Sequence, residues 1–119
     1  MTLPEYGFGF TSSDHAGYRV VKLVGELDVA MLGAQEAEFL ALFVDAPAGV
    51  VVLDFADVAF CDSTGLGILI KAARYSSGVS GHVRIAAAQE HIARLITSSA
   101  LDRALPLFPT IQAAAAPAG

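Results

Sequence analysis

The side chains best suited to chemistry lie in one short run, Asp62-Ser63-Thr64-Gly65-Leu66-Gly67. The run stands where a strand-like segment gives way to a helix-like one, and sites in open α/β sheets gather at such strand ends. Ser63 is predicted on the first helical turn, with its hydroxyl near free backbone N–H groups and the positive end of the helix dipole, so the fold would tolerate a phosphate there. Asp62 could orient that hydroxyl or pair with a basic partner, and the glycines would let another backbone approach. The same residues also fit a purely structural role as a helix cap.

Enzymatic interpretations of this run fit poorly. An aspartic protease needs Asp-Thr/Ser-Gly without an intervening residue and a second carboxylate, whereas this run has one residue too many and no second copy. A nucleophile elbow, Gly-x-Ser-x-Gly, needs glycine where Cys61 stands. A small hydrolase using Ser63 remains an alternative, because catalytic triads assemble in space. The single cysteine and the three scattered histidines indicate no metal site, so we expect neither an enzyme nor a cofactor.

The composition is typical of one globular domain. The chain has 119 residues, 55% hydrophobic and 16% charged, and is predicted to form a single domain over residues 1–119, ordered at about 5–116. No apolar run is long enough to span a bilayer, since Lys71 interrupts the best candidate, and the start lacks signal-peptide features. We therefore expect a cytoplasmic protein without membrane contact. The net charge of −5 argues against nucleic acid as a partner.

Acidic residues are concentrated in the first half of the chain. Residues 1–62 hold ten acidic and two basic residues, a balance of −8, and residues 63–119 hold two and five, a balance of +3. An ordinary solvated surface explains this distribution, and a sharper hypothesis is an acidic patch that faces a basic partner. Five carboxylates assigned to strand ends or to the loops after them would form that patch: Glu26, Asp28, Asp54, Asp57 and Asp62.

The first half of the chain is predicted to form a hairpin, a helix and a central strand. Strands at residues 6–10 and 18–24 should pair through a turn at residues 12–17. The continuous apolar run at residues 50–53 is typical of a strand buried on both faces of a parallel sheet, and residues 54–58 are predicted as a loop. Between them, Asp28 is placed to cap a helix whose core stripe falls at Val29, Gly33, Ala37, Leu40 and Val44.

The second half alternates helices and strands. We predict a helix at residues 68–77, a turn at 76–81, a strand at 82–86, a helix through Ile92 that ends near Ser98, an edge strand at 105–108, and a short final helix capped by Thr110. Strands that alternate with helices after an opening hairpin indicate an α/β class with a mixed sheet.

Two motifs give the chain a family resemblance. With Gly25-Glu26-Leu27-Asp28 at the end of the second strand and Asp62-Ser63-Thr64-Gly65-Leu66-Gly67 after the central strand, the chain resembles the STAS domain of bacterial anti-sigma factor antagonists over about residues 5–116. The resemblance implies a STAS fold, a small mixed β-sheet with an opening hairpin and helices packed mainly on one face. It also implies a binding protein without catalytic activity.

The resemblance implies a mechanism of partner switching in transcription and stress response. The unphosphorylated antagonist would bind an anti-sigma factor serine kinase with a histidine-kinase-like ATPase fold and free a sigma factor. The kinase would phosphorylate Ser63, and a metal-dependent serine/threonine phosphatase would reverse this. Partner contacts are expected at Asp28, Asp62, Thr64, Gly65, Leu66 and Gly67. The alternative is a non-switching STAS scaffold in a lipid-transport or stress-sensing complex, which the hydroxyl of Ser63 beside Asp62 weakly disfavours.

Overall fold

A five-stranded mixed sheet, with strand order β1-β2-β3-β4-β5, organises the protein. The structure is a computed structural model that describes residues 8–75 and 82–116, so the predicted turn at 76–81 lies outside the described residues. The strands are β1 Phe8–His15, β2 Tyr18–Leu27, β3 Val51–Cys61, β4 Val83–Ala86 and β5 Leu107–Phe108. The helices are α1 Val29–Ala41, α2 Ser63–Tyr75, α3 Glu90–Ser98 and α4 Ile111–Ala115, with a 3-10 turn at Pro47–Gly49.

Strand β3 is the centre of the sheet, as its apolar run predicts. It runs parallel to both β2 and β4, and only the β1–β2 hairpin is antiparallel. Val51, Val52 and Leu53 are fully buried because each face of the sheet is covered by helices. The mixed α/β class is therefore confirmed.

The helices are distributed unequally over the two faces. One core contains the inward side chains of α1, α2 and α3, among them Phe39, Leu69 and Ile96. A smaller core on the opposite face contains Val52 and Ala114, so that α4 is the helix packed there. Most helices therefore lie on one face, as predicted. The final helix is capped as expected, since the Ala113 N–H donates to the Thr110 hydroxyl at 3.0 Å.

The opening hairpin has a tighter turn than predicted. Residues 12–15 belong to β1, and the chain reverses at Ala16 and Gly17, where Gly17 adopts a φ of 89°. Polar side chains hold this part of the strand, because Asp14 pairs with Arg19 at 2.6 Å and His15 stacks on Tyr18. Residues 12–15, whose polar side chains predicted a turn, are therefore extended, and the ion pair between Asp14 and Arg19 stabilises this part of the hairpin.

Helix α1 follows the predicted stripe only in part: Leu40 is buried as predicted, Ala37 is exposed, and Val29 and Gly33 lie outside the residues whose side chains the structure describes. Phe39 and Phe43 are buried and pack edge to face, with ring centroids 5.1 Å apart. Val44, predicted in the core, follows the helix and is 44% exposed. The prediction was wrong because the helix ends at Ala41, so helical spacing cannot be extended to Val44.

The segment predicted as a loop after residue 53 is a continuation of β3. Two register shifts against β2, between Lys22 and Val24 and between Gly25 and Glu26, each place one extra residue in β3. These bulges turn the usual alternation into a spacing of three, which buries Phe55, Val58 and Cys61. The loop prediction was wrong because a strand was expected to alternate apolar and polar residues, whereas the bulged strand buries every third residue.

Candidate functional site

The site is built where β3 ends and α2 begins. Asp62 is the N-cap of α2: its Oδ1 accepts from the Gly65 N–H at 2.8 Å, and its carbonyl accepts from the Leu66 N–H at 3.0 Å. Ser63 is the first residue of the helix and Thr64 the second, so the prediction that this helix begins at residue 68 was wrong: the Asp62 cap starts it five residues earlier, so that it includes both glycines. The structure thus places Ser63 on the first helical turn, as predicted, with Asp62 as its cap.

Gly65 lets the first turn of α2 approach the end of β2. A Cβ atom at this position would lie 2.3 Å from the Leu27 carbonyl oxygen and 3.1 Å from Leu27 Cγ. Contacts this short with a backbone atom do not occur, so the close approach requires glycine. The backbone that approaches Gly65 is therefore the chain's own, whereas Gly67 has nothing within 4 Å of such a Cβ and is exposed.

The same contact brings the two sequence motifs together. Leu27 is the register partner of Cys61, and the Asp62 N–H lies 3.4 Å from the Leu27 carbonyl oxygen. Asp28, directly after Leu27, is half-buried and precedes α1. The first motif thus supports the backbone from which α2 begins, and Asp28 follows at the same edge of the sheet.

Exposure divides the predicted partner-binding residues into two groups. Ser63, Thr64 and Gly67 are exposed, and Asp62 is half-buried. Gly65 and Leu66 are buried, and Leu66 is only 2% exposed because its side chain packs in the core. The buried residues Gly65 and Leu66 therefore fix the first turn of α2 against the core, and this positions the exposed residues of the same turn.

The expected acidic patch is smaller than the sequence suggested. Asp54 and Asp57 lie within β3, and Lys22 pairs with both, at 3.7 Å and 3.1 Å. Asp54 is 8% exposed and also accepts from the Ala56 N–H at 3.1 Å. The hydrogen bond to Asp57 and the charge of Asp54 raise the pKa of Lys22 above its ordinary value. The expectation that these two carboxylates face a partner was wrong for Asp54, which is buried and neutralised within the chain.

The thiol nearest the site is chemically quiet. Cys61 is buried beside the cap, and its Sγ lies 3.6 Å from the Asp62 carbonyl oxygen. Burial, with a smaller contribution from the charge of Asp62, raises the pKa of this thiol to about 12. A thiol that stays protonated is a poor nucleophile, so Cys61 serves as a small core side chain.

Two side chains support the tail of β3, residues 55–61, which extends beyond the pairing with β4. They are His91 of α3 and Gln89, the N-cap of α3, and the sequence predicted neither contact. His91 Nε2 lies 2.9 Å from the Ala59 carbonyl oxygen, and Gln89 Nε2 donates to the Ala56 carbonyl at 3.4 Å. Strand β4 pairs with β3 only as far as Asp54, which leaves these carbonyls without a strand partner. No sequence signal identifies such contacts, because they depend on the bulged path of β3.

Two other kinds of site, for metal ions and for membranes, are not found among the described residues. Within residues 8–75 and 82–116, no group of three or more His, Cys, Asp or Glu side chains is arranged to hold a metal ion. In the same ranges, no helix has the length and apolar character needed to cross a membrane.

Known proteins resemble the chain over nearly all of its length. The family model for the STAS domain matches residues 11–114, which include both motifs. An anti-sigma factor antagonist from Mycobacterium paratuberculosis is 28% identical over 95% of this chain and 95% of its own, with a TM-score of 0.79. No curated protein gives a significant match to the sequence.

Two further structures share the fold at lower identity. The anti-sigma factor antagonist SpoIIAA in its unphosphorylated form is 19% identical over 88% of this chain and 92% of its own, with a TM-score of 0.68. The Bacillus cell fate determinant SpoIIAA in the phosphorylated form is 19% identical over 88% and 96%, with a TM-score of 0.57. The fold is thus common to a protein solved in both phosphorylation states.

Proposed function

Since the chain belongs to the STAS domain family, we propose that it is an anti-sigma factor antagonist that is switched by phosphorylation of Ser63. The observation that carries the proposal is Ser63 itself, an exposed residue on the first turn of α2, beside a cap fixed by the hydrogen bond from the Gly65 N–H to Asp62. The similarity to an anti-sigma factor antagonist over 95% of the chain supports the same function.

The position of Ser63 suits a switch that leaves the fold intact. A phosphoserine adds about −1.5 to −2 charges. At a helix N-terminus this charge meets free backbone N–H groups and the positive end of the dipole, which stabilises it by about 0.3–1 kcal/mol. Because Asp62 occupies the Gly65 N–H, the phosphate would use the N–H groups before it. The phosphorylated domain should therefore stay folded.

The same phosphate would oppose a partner at the exposed surface of the turn. Thr64 and Gly67 are exposed next to Ser63, and the half-buried carboxylate of Asp62 precedes it. A second anion there adds bulk and negative charge where the partner must approach, so affinity falls without a change of fold. In the unphosphorylated state the protein binds an anti-sigma factor kinase and frees its sigma factor, and a serine/threonine phosphatase restores that state.

Binding measurements with purified kinases test this proposal. Each serine kinase of the source organism that has a histidine-kinase-like ATPase fold is immobilised, and the affinity of wild type, Ser63→Ala and Ser63→Glu is measured by surface plasmon resonance. At least one kinase should bind wild type and Ser63→Ala equally and Ser63→Glu at least tenfold more weakly. Ser12→Glu, which adds the same charge at an exposed position of β1, is the control and should bind like wild type. Equal affinity of Ser63→Glu and wild type would refute the switch.

A further inference from the structure

The tail of β3 presents an aromatic side chain to solvent. Phe60 is 46% exposed and, with Val44, is one of two large hydrophobic side chains exposed in the part of the chain that the structure describes. Cys61 packs in the core beneath α1, α2 and α3. Phe60 and Cys61 follow the second bulge and pair in regular register with β2, so they point to opposite faces and Phe60 projects from the other side of the sheet.

The backbone that carries Phe60 is held on both sides. On one side, Phe60 and Cys61 pair in regular register with Glu26 and Leu27 of β2. On the other side, His91 bonds the carbonyl of the preceding residue at 2.9 Å. The exposed ring therefore stands on a fixed strand, which lowers the conformational entropy lost when a partner covers it.

The surroundings of Phe60 define the chemistry that could cover it. Its ladder partner Glu26 is exposed, and no ion pair is formed by that carboxylate with the described residues. Ser63 follows three residues later, and three residues span at most about 10 Å. The ring thus belongs to the same edge of the sheet as the switch residue. An aromatic ring with an acidic rim fits an apolar pocket bordered by a basic side chain.

We propose that Phe60 is an aromatic anchor that enters an apolar pocket of the anti-sigma factor kinase, with Glu26 paired to a basic side chain at the rim. This inference rests on the proposed function and extends its interface from the start of α2 onto the tail of β3. This part of the interface does not depend on phosphorylation. Phe60 therefore contributes to kinase affinity in both the unphosphorylated and the phosphorylated form, and Ser63 sets the difference in affinity between the two forms.

A second copy of this chain is a poorer occupant. Two copies would bring together acidic rims on chains that each carry a net charge of −5. The charge favours a basic partner instead.

The test compares Phe60→Ala with a matched control, Val44→Ala. Val44 has nearly the same exposure, 44%, but lies far from Ser63. Its carbonyl accepts a hydrogen bond from Arg19 at 3.1 Å, and Arg19 is the register partner of Val51, at the opposite end of β3 from Ser63. Removing most of about 90 Å² of buried apolar surface should weaken kinase binding by about 10- to 50-fold. Val44→Ala should bind like wild type, and Phe60→Leu should recover most of the affinity.

Enzyme kinetics separates an anchor from a residue that merely shapes the fold. With the kinase that binds wild type, Phe60→Ala should raise KM for phosphorylation of Ser63 and leave kcat unchanged, because the ring acts in binding only. Unchanged affinity of Phe60→Ala, or an equal loss in Val44→Ala, would overturn the inference and leave the proposed function standing. Wild-type protein that binds none of the kinases would overturn both. Concentration-dependent dimers that Phe60→Ala abolishes, with kinase binding retained, would assign the ring to a second copy and refute the proposal.

Discussion

The close approach of Gly65 to β2 gives the sharpest prediction from the structure. In Gly65→Ala the new Cβ would lie 2.3 Å from the Leu27 carbonyl oxygen, whereas ordinary van der Waals contacts begin at 3.4 Å. Because the opposing atom belongs to the backbone, no side-chain rotation relieves the clash. The start of α2 and the end of β2 must separate by about 1 Å, the difference between an ordinary contact and the clash. This movement would also weaken the hydrogen bond from Gly65 to Asp62.

The expected loss of stability follows from three opposing contributions. Overpacking costs about 1–3 kcal/mol, and a weakened cap costs about 1 kcal/mol more. Alanine in a helix returns about 0.5–1 kcal/mol relative to glycine. The net loss is about 1–3.5 kcal/mol. For a chain of 119 residues, 1 kcal/mol corresponds to about 4 °C, so Tm should fall by about 4–14 °C.

The matched control is Gly67→Ala in the same helix. A Cβ added at Gly67 would have nothing within 4 Å, and the residue is exposed, so only the helix propensity changes. The Tm of this variant should rise by about 2–4 °C. Thermal unfolding followed by circular dichroism measures both variants. A Gly65→Ala protein as stable as wild type would refute the claim that close packing at this residue joins the two motifs.

Three further predictions concern residues around the site. Asp62→Ala removes the cap of α2 and should lower Tm by about 4 °C, while Asp62→Asn keeps an acceptor and most of the stability; calorimetry distinguishes them. Lys22→Met removes the cation between Asp54 and Asp57 and should cost up to about 1 kcal/mol at neutral pH. Because the folded-state pKa of Lys22 is raised above 10.5, its contribution is fully present below that pH and is lost as pH rises through the folded value. Urea unfolding should therefore show the two proteins converging in strongly alkaline buffer, and a constant difference would contradict the assignment. Cys61, with a pKa of about 12, should react with iodoacetamide on the order of 1,000-fold more slowly in the native protein than in urea; equal rates would show an accessible thiolate.

The sequence predicts those features that depend on local pattern. The apolar run of β3 identifies the central strand because burial on both faces leaves no polar position at residues 50–53. Thr110 is recognised as a cap from its position before a short helix, and Ser63 is recognised as a first-turn residue from its place after Asp62, although the helix itself was predicted to begin only at residue 68. The family motifs then place Ser63 at the site.

The features that the sequence does not predict depend on pairing between distant segments. The bulges that carry β3 to Cys61 arise from its register with β2, and a single strand shows only lost alternation. Gly65 was expected to admit a partner, but the carbonyl of Leu27 fills that space. The support of the Ala59 carbonyl by His91 likewise requires the three-dimensional path of both segments.

Identification of the phosphorylated residue tests the central claim most directly. The protein is incubated with ATP and the kinase that binds it, and phosphopeptides are mapped by mass spectrometry. We predict phosphate on Ser63, none on the adjacent exposed Thr64, and no labelling of Ser63→Ala. Phosphate on Thr64 alone, or a Ser63→Ala variant labelled as well as wild type, would contradict the account.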